Sequence, residues 1–336
     1  MKTAQTLPKQ TGLVGLASVF ASNRTTLTLL VVLSISIIIY YQVSLSYRLW
    51  IIAVPSFLLM LNFFLALATR DILKNSLPLL VFHFALIVLV ILAFAGKMSF
   101  FNGTLELAEN EEFSGQVENI EQGPWHRYGL SGTRFTNLGF QIRYREGIKR
   151  DRTINKIALH LHDAQQQILE IGDHVPLVIG HYRFYTSHNK GYAPVFEWRP
   201  LSSTQVIVGS IHLPAYPAHE FRQALEWSVP GSNLTLWTML NIEENVLPID
   251  REFDFQVPEQ HQLVLRHLDK RYELKPGDEI ELPGGKLTYQ KLTTWMGYKV
   301  DYDWTRPWLL ATALIGLLGL FVHFILKFNP VVKKTI

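Results

Sequence analysis

Four apolar segments, each long enough to cross a bilayer, constrain this chain more than any other feature of its sequence. They occupy residues 26–43, 49–69, 77–96 and 308–326. A helix of about 20 apolar residues spans the roughly 30 Å of hydrocarbon in a bilayer. The segments therefore predict four transmembrane helices. The first is interpreted as a retained span and not as a signal peptide, because no small-residue cleavage pattern follows it.

Lys and Arg residues lie beside alternate ends of these segments. These basic residues lie in the N-terminal segment, in the loop between the second and third spans, and in the C-terminal tail. They are Lys2, Lys9, Arg24, Arg70, Lys74, Lys327, Lys333 and Lys334. Since cytoplasmic loops are enriched in Lys and Arg, both termini are predicted to be cytoplasmic. The predicted location is the bacterial inner (cytoplasmic) membrane, where membrane lipids surround the chain as a multi-pass protein.

The long segment between the third and fourth spans has the pattern of β-structure. FQIRYRE, KIALHLH and HYRFY alternate apolar and polar residues, HVPLVI and QVIVGSIHL are near-continuous apolar strands, and Gly-rich turns separate them. Residues 217–228 alone have helical spacing. The predicted fold class is a four-span α-helical membrane protein with a large all-β extracytoplasmic domain inserted between spans three and four. The predicted division is a cytoplasmic segment 1–25, three helices within 26–96, a periplasmic β-rich domain 97–306, a fourth helix 307–327 and a cytoplasmic tail 328–336.

Composition excludes several functions. The chain has no cysteine, so disulfides, thiolate metal sites and catalytic thiols are excluded, and so is covalent haem attachment through CxxCH in this chain. The net charge of +3 combines basic membrane segments with an acidic β domain, and no nucleic-acid footprint is present. The β domain contains no GxSxG, HExxH, Walker or GxGxxG motif, so no catalytic residue is predicted. His160 and His162 form a weak HxH metal pattern, for which a solvated strand face is the preferred interpretation.

His83 is an ionisable residue inside the third predicted span. It lies roughly 9 Å from the helix start at Leu77, between Phe82 and Phe84. A charged group near the centre of a span costs roughly 2–3 kcal/mol or more, so such residues are usually functional. A neutral imidazole in apolar, aromatic surroundings suits axial ligation of haem iron. A hydrogen bond to a neighbouring helix is an equally good interpretation.

His323 is the second intramembrane histidine. It lies roughly 6 Å from the cytoplasmic end of the fourth span, so counting from the helix ends predicts a depth similar to that of His83. It continues a stripe of small residues, Thr312, Gly316 and Gly319, that would allow close helix approach. As a candidate haem-binding residue it competes with a simpler interpretation, in which the side chain reaches the interface beside Lys327.

The order of several motifs resembles that of the ResB/CcsB family of cytochrome c maturation proteins, known as system II. The second span, WIIAVPSFLLMLNFFLALATR with Asn62, is similar to the second helix of the family, and the third span carries a single histidine at His83. VPLVIGHYRFYTSHNKGYAPVFEW and WMGYKVDYDWTRPWLLATALIGLLGLFVHFIL resemble two later segments of the family. The likeness covers most of residues 45–328 and corresponds to the unfused form of the family.

This resemblance implies a function and a set of partners. It implies a subunit of a haem-delivery and cytochrome c synthase complex, which works with a CcsA/ResC-like membrane subunit and attaches haem to CxxCH apocytochromes c. Haem b is then transported and transiently bound, with His83 as one axial ligand of the iron. The chain itself is expected to be a non-catalytic or co-catalytic subunit of the haem lyase. His323 is not part of the family pattern.

Two other classes of function remain open. The chain could be a membrane-anchored periplasmic β-domain scaffold or envelope-assembly factor with no haem role. A periplasmic hydrolase or metalloenzyme would require His160, His162 and a third ligand to converge in space.

Overall fold

The computed structural model contains two compact units. The described residues are 19–42, 48–69, 76–127, 129–160, 165–172, 174–217 and 223–328. The first unit comprises Met1–Phe100, Gly123–Trp125 and Asp303–Ile336, and the second comprises Phe101–Gln122 and His126–Tyr302. The basic loop with Arg70 and Lys74, together with His162, lies outside the described residues.

The first unit contains the four long apolar helices that the sequence predicts. They are α1 (Asn23–Gln42), α2 (Arg48–Thr69), α3 (Leu77–Ser99) and α4 (Arg306–Phe328). Each is long and apolar enough to cross a bilayer. The four helices are thus confirmed, with ends one to three residues beyond most of the predicted ones, while their insertion in a membrane remains a prediction.

Local chemistry fixes where α3 and α4 begin. Ser76 is the N-cap residue of α3 and a proline occupies its first turn, where the missing N–H removes no hydrogen bond. The carboxylate of Asp303 accepts hydrogen bonds from the backbone N–H of Thr305 at 2.9 Å and from its hydroxyl at 2.6 Å. These bonds hold the turn that leads into α4.

The second unit consists of antiparallel strands. They are β1 (Phe101–Ala108), β2 (Glu112–Phe113), β3 (Glu118–Gln122), β4 (Phe135–Arg145), β5 (Lys149–His160), β6 (Gln166–Gly172), β7 (Leu177–Ile179), β8 (Tyr182–Pro200), β9 (Ile207–Ser210), β10 (Ala224–Ser228), β11 (Thr235–Ile242), β12 (Phe253–Asp254), β13 (His261–His267), β14 (Lys270–Leu274), β15 (Glu279–Leu282) and β16 (Gly285–Tyr302). They follow α3 and precede α4 in the chain.

The strands form three sheets. A seven-stranded sheet has the order β3-β1-β16-β8-β7, with β15 paired to β16 and β9 paired to β8. A five-stranded sheet has the order β12-β4-β5-β6 with β2 paired to β4, and a four-stranded sheet has the order β10-β11-β13-β14. The alternating segments of β4, β5 and β8 and the apolar segments of β7 and β9 are confirmed as strands within the described residues.

Two long strands, β8 and β16, form the centre of the seven-stranded sheet. Their pairing runs from Tyr182 opposite Tyr302 to Pro200 opposite Gly285. Aromatic side chains on these strands, such as Tyr298, are fully buried. Burial of apolar surface is the dominant favourable contribution to folding, and each of these aromatic side chains buries a large area.

The predicted helix over residues 217–228 is wrong for its described C-terminal part. Residues Ala224–Ser228 form β10, which pairs antiparallel with β11. Leu225 and Trp227 flank the exposed Glu226 with a period of two, and this alternation outweighs the helical spacing from Phe221 to Leu225. Residues 218–222 lie outside the described residues.

Candidate functional site

Close packing of α3 against α4 defines the surroundings of His83. Gly316 and Gly319 are the buried residues of α4 within the described chain. A methyl group at Gly316 would lie 3.0 Å from Cβ of Ala85, and one at Gly319 would lie 2.9 Å from the carbonyl oxygen of Pro78. The predicted role of these glycines in close helix approach is therefore confirmed.

His83 presents one ring nitrogen to its own helix and leaves the other available. Its Nδ1 lies 2.8 Å from the carbonyl oxygen of Leu79, one turn earlier. Because a carbonyl oxygen accepts only, Nδ1 carries the proton, and the lone pair of the neutral ring is then on Nε2. Nε2 has no hydrogen-bond partner among the described residues, and the ring is half-buried with its neighbour Phe82 at 5.3 Å, edge to face. This is the arrangement in which histidine binds a metal: one nitrogen oriented by a carbonyl oxygen and the other free.

His323 lies at a different depth from His83. Its Nδ1 is 3.1 Å from the hydroxyl of Ser76, the residue that precedes α3. Ser76 and His83 are seven residues apart, about 10 Å along the helix axis. The expected similarity of depth is therefore wrong: α3 and α4 are antiparallel with a register that places His323 beside the start of α3. The two histidines do not converge on one site.

Asn62 forms a polar contact between α1 and α2. It is completely buried, it accepts a hydrogen bond from the hydroxyl of Thr26 at 2.7 Å, and its amide group donates to the carbonyl oxygen of Phe20. Its polar atoms are thus satisfied by neighbouring helical residues. Asn62, one of the residues on which the family resemblance rests, therefore links α1 and α2 in this structure.

A groove of about 530 Å³ lies between α2 and α3, away from His83. It is lined by apolar residues that include Trp50 and Phe57 of α2 and Val90 and Phe94 of α3. Val90 is seven residues beyond His83, again about 10 Å along α3. No histidine is among the residues that line the groove, so it offers no imidazole for iron.

The β unit has no metal cluster among the residues that the structure describes. Nε2 of His160 is hydrogen-bonded to the hydroxyl of Thr136 at 2.8 Å, and its Nδ1 lies 3.4 Å from Nε2 of Gln166. His160 is therefore engaged by side chains of its own sheet.

One charged cluster in the β unit had no local sequence signal. His212 lies with Nδ1 3.2 Å from a carboxylate oxygen of Glu106 and Nε2 3.6 Å from one of Glu111, and its ring stacks on Trp295 at 5.4 Å. Burial alone would lower the pKa of His212, but the hydrogen bonds to both carboxylates outweigh burial and raise the pKa to about 9. The imidazole is therefore cationic at neutral pH. Only the fold brings His212 to these acids, of which Glu106 is 106 positions away in sequence. An alignment with covarying pairs would therefore be the signal needed to find the cluster.

Comparison with protein families decides the identity of the chain. The model of the ResB-like family matches residues 65–329. The chain belongs to the ResB-like family. The match includes His83, both glycines of α4 and the whole β unit of this ResB-like chain. Membership supports a role in cytochrome c maturation and, in general terms, an involvement with haem.

Other comparisons are less informative for this ResB-like chain. No curated protein matches it. Among solved structures, cytochrome c haem lyase CcmF has a TM-score of 0.27 and 11% sequence identity, over 91% of this chain and 37% of that chain. The ResB-like chain thus spans little more than a third of the length of that structure.

Proposed function

We propose that this ResB-like chain is the haem-handling subunit of a membrane complex that attaches haem to CxxCH apocytochromes c. In this proposal haem b is cargo: it crosses the membrane and is bound transiently. The partner is a CcsA/ResC-like membrane subunit, and the attachment chemistry belongs to the complex, to which this chain contributes no catalytic residue of its own.

His83 carries the proposal. Its Nδ1–H bond to the carbonyl of Leu79 fixes the orientation of the ring and leaves the Nε2 lone pair for iron. The half-buried position leaves part of the ring accessible from outside the chain. A flat, apolar porphyrin suits such a surface, and an imidazole of the partner subunit would bind the iron from the other side.

The direction of transport follows from the predicted orientation. With both termini cytoplasmic and the β domain periplasmic in the bacterial inner membrane, α3 begins on the cytoplasmic side, so His83 would lie in the cytoplasmic half of the bilayer. Haem made in the cytoplasm would meet this ligand before it reaches the outer face. His323 has no assigned role in this route, because it lies beside Ser76, which is seven residues before His83 and about 10 Å from it along the helix axis.

An absorption spectrum of the complex tests the proposal. The chain is co-expressed with its CcsA/ResC-like partner and the pair is purified. We expect His83→Gly to lose most of the bound haem at unchanged recovery of both subunits, and added imidazole to restore it. His323→Ala is the matched control and should keep the haem. An unchanged haem content in His83→Gly would remove this histidine from the ligand role, and a colourless wild-type pair would favour a scaffold without a haem role.

A further inference from the structure

The groove between α2 and α3, which we call the α2–α3 groove, has the depth of one leaflet of a bilayer. On α2 its lining runs from Trp50 to Met60, ten positions or about 15 Å along the helix axis. The hydrocarbon of a bilayer is roughly 30 Å thick, so the groove extends through about half of it. On α3 the lining runs from Val90 to Phe94, in the half of the helix that ends at Ser99. With the predicted orientation, this is the periplasmic half.

The α2–α3 groove is open to its surroundings and has an apolar lining. Val54, Phe57 and Ile91 line it, and all three are exposed. Apart from the hydroxyl of Ser56 and the indole N–H of Trp50, the lining side chains are apolar. An extended peptide would leave its backbone N–H and C=O groups without partners there. A transmembrane helix of a partner needs a contact that runs through both leaflets, so a single hydrocarbon chain suits this groove better.

A cation lies at the outer end of the α2–α3 groove. Lys97 is three residues beyond Phe94 and therefore on the same face of α3. Its Nζ lies 4.4 Å from the ring centroid of Tyr40 and 4.6 Å from that of Phe100. These rings position the ammonium group but do not neutralise it, and among the described residues no carboxylate pairs with Lys97.

The carboxylate of Asp303 lies beside the same end of α3 but is already engaged. A Cβ at Gly96 would lie 3.4 Å from its Oδ1. That oxygen accepts hydrogen bonds from the N–H and the hydroxyl of Thr305, and Oδ2 lies 3.5 Å from Nε of Arg306. The positive charge of Lys97 is therefore left for an anion from outside the described chain.

Two exposed tryptophans mark the outer end of the groove as the level of lipid headgroups. One is Trp50, in the first turn of α2. The other is Trp125, whose ring contacts Phe94 edge to face at 5.6 Å and whose backbone N–H donates to the carbonyl oxygen of Met98, the neighbour of Lys97, at 2.8 Å. Tryptophan is enriched at membrane interfaces, where the ring packs on hydrocarbon and the N–H reaches polar groups. An anion at this level of a membrane is most simply a lipid phosphate.

We propose that the α2–α3 groove binds one anionic phospholipid of the periplasmic leaflet, such as phosphatidylglycerol. One acyl chain lies in the groove, and the phosphate accepts hydrogen bonds from the ammonium group of Lys97. A zwitterionic lipid would bring a second ammonium group to the cation, so the site prefers an anionic headgroup. The site goes beyond the proposed function, because it requires neither haem nor His83.

Native mass spectrometry of the full chain in detergent tests the proposal. The delipidated chain is titrated with phosphatidylglycerol or with phosphatidylethanolamine of the same acyl chains, and the bound lipids are counted. We expect one phosphatidylglycerol per chain to bind saturably and about five-fold more tightly than phosphatidylethanolamine, the scale of one basic residue beside an anionic lipid. Equal binding of the two lipids, or binding without saturation at one copy per chain, would overturn the proposal.

Variants at each end of the lipid locate the site. Lys97→Gln should weaken binding of phosphatidylglycerol about five-fold and remove the preference, whereas Lys327→Gln, the matched control with Nζ 5.8 Å from the ring centroid of Phe328, should change neither. Val54→Trp fills the groove and should weaken both lipids at least five-fold, whereas Val31→Trp on the exposed side of α1 should not. Wild-type selectivity in Lys97→Gln would contradict the headgroup contact, and wild-type affinity in Val54→Trp would place the acyl chain elsewhere.

The co-purified pair distinguishes a lipid from a helix of the partner as the occupant of the groove. We expect the pair with the CcsA/ResC-like subunit to retain one phosphatidylglycerol in the groove, which Val54→Trp should remove. If the pair instead loses this lipid, the partner covers the groove and the proposal is wrong. His83→Gly should bind the lipid as the wild type does, so the failure of the haem proposal and the failure of this one are distinguishable.

Discussion

The imidazole of His323 is hydrogen-bonded to the hydroxyl of Ser76, with 3.1 Å between Nδ1 and Oγ. This bond joins the last turns of α4 to the residue that caps α3, and it sets the register of the two helices together with Gly316 and Gly319. His323 therefore lies beside the start of α3, about 10 Å along the helix axis from His83.

The first prediction is that His323 and Ser76 act as one pair. His323→Ala and Ser76→Ala should each lower the free energy of unfolding by about 0.6 kcal/mol, the usual scale for such bonds between membrane helices. The double variant should cost about as much as either single one, because each substitution already removes the bond. The measurement is equilibrium unfolding in mixed micelles, with Ser34→Ala as a control at an exposed hydroxyl that bonds its own helix. Additive losses would refute the coupling.

The second prediction concerns the contact of α4 with α3. Gly319→Ala should lower the midpoint of thermal unfolding more than Gly316→Ala. The new methyl group at Gly319 meets backbone atoms, the Pro78 carbonyl at 2.9 Å and the Phe82 nitrogen at 3.2 Å, whereas Gly316 faces the side chain of Ala85. Backbone atoms cannot move aside without shifting the helix. Leu318→Ala, at a position 62% exposed, is the control and should have little effect. The opposite order of the two glycines would contradict this packing.

The third prediction is a loss of stability at alkaline pH that depends on His212. Its pKa is raised from 6.5 to about 9 in the folded state. A raised pKa contributes stability that is fully present below pH 6.5 and is lost as the pH rises through about 9. The wild-type chain should therefore lose thermal stability between pH 6.5 and 9.5, and His212→Gln should lose less over the same range.

The thermal stability of the full chain in detergent is measured by circular dichroism at a series of pH values. His267→Gln is the control, since His267 lies at the end of β13 and its Nδ1 is 3.3 Å from the backbone carbonyl oxygen of Thr235. Parallel pH profiles for the wild type and His212→Gln would show that the contacts with Glu106 and Glu111 do not hold the proton in solution.

Local periodicity accounts for what the sequence could predict. The four helices and strands such as β4, β5 and β8 follow from apolar length and alternation, both of which are properties of neighbouring residues. The predicted helix is wrong over Ala224–Ser228, because the helical spacing from Phe221 to Leu225 obscured the alternation around Trp227. Pairing with β11, which is set by distant residues, decided the outcome.

The candidate site likewise has features that the sequence could predict and features that it could not. His83 could be identified from the sequence because an imidazole in an apolar segment is rare. The acceptor for its Nδ1–H is a backbone carbonyl one turn earlier, which every helix provides. The depth of His323 could not be obtained by counting, since helix register depends on which glycine meets which residue of α3.

The last prediction concerns the buried polar network of the β unit. The Tyr298 hydroxyl donates to Oδ1 of Asn155 at 2.8 Å, and the Asn155 amide donates to Oδ1 of Asn137 at 2.8 Å. Tyr298→Phe should lower the free energy of unfolding by about 1–3 kcal/mol, because Oδ1 of the completely buried Asn155 loses its partner. Combining Tyr298→Phe with Asn155→Leu should cost less than the sum of the two single changes, since one orphaned group disappears with the other. Denaturant unfolding of the full chain measures both effects, with Tyr272→Phe as the control on the partly exposed β14. If the two losses are additive, the hydrogen bond does not link these residues energetically.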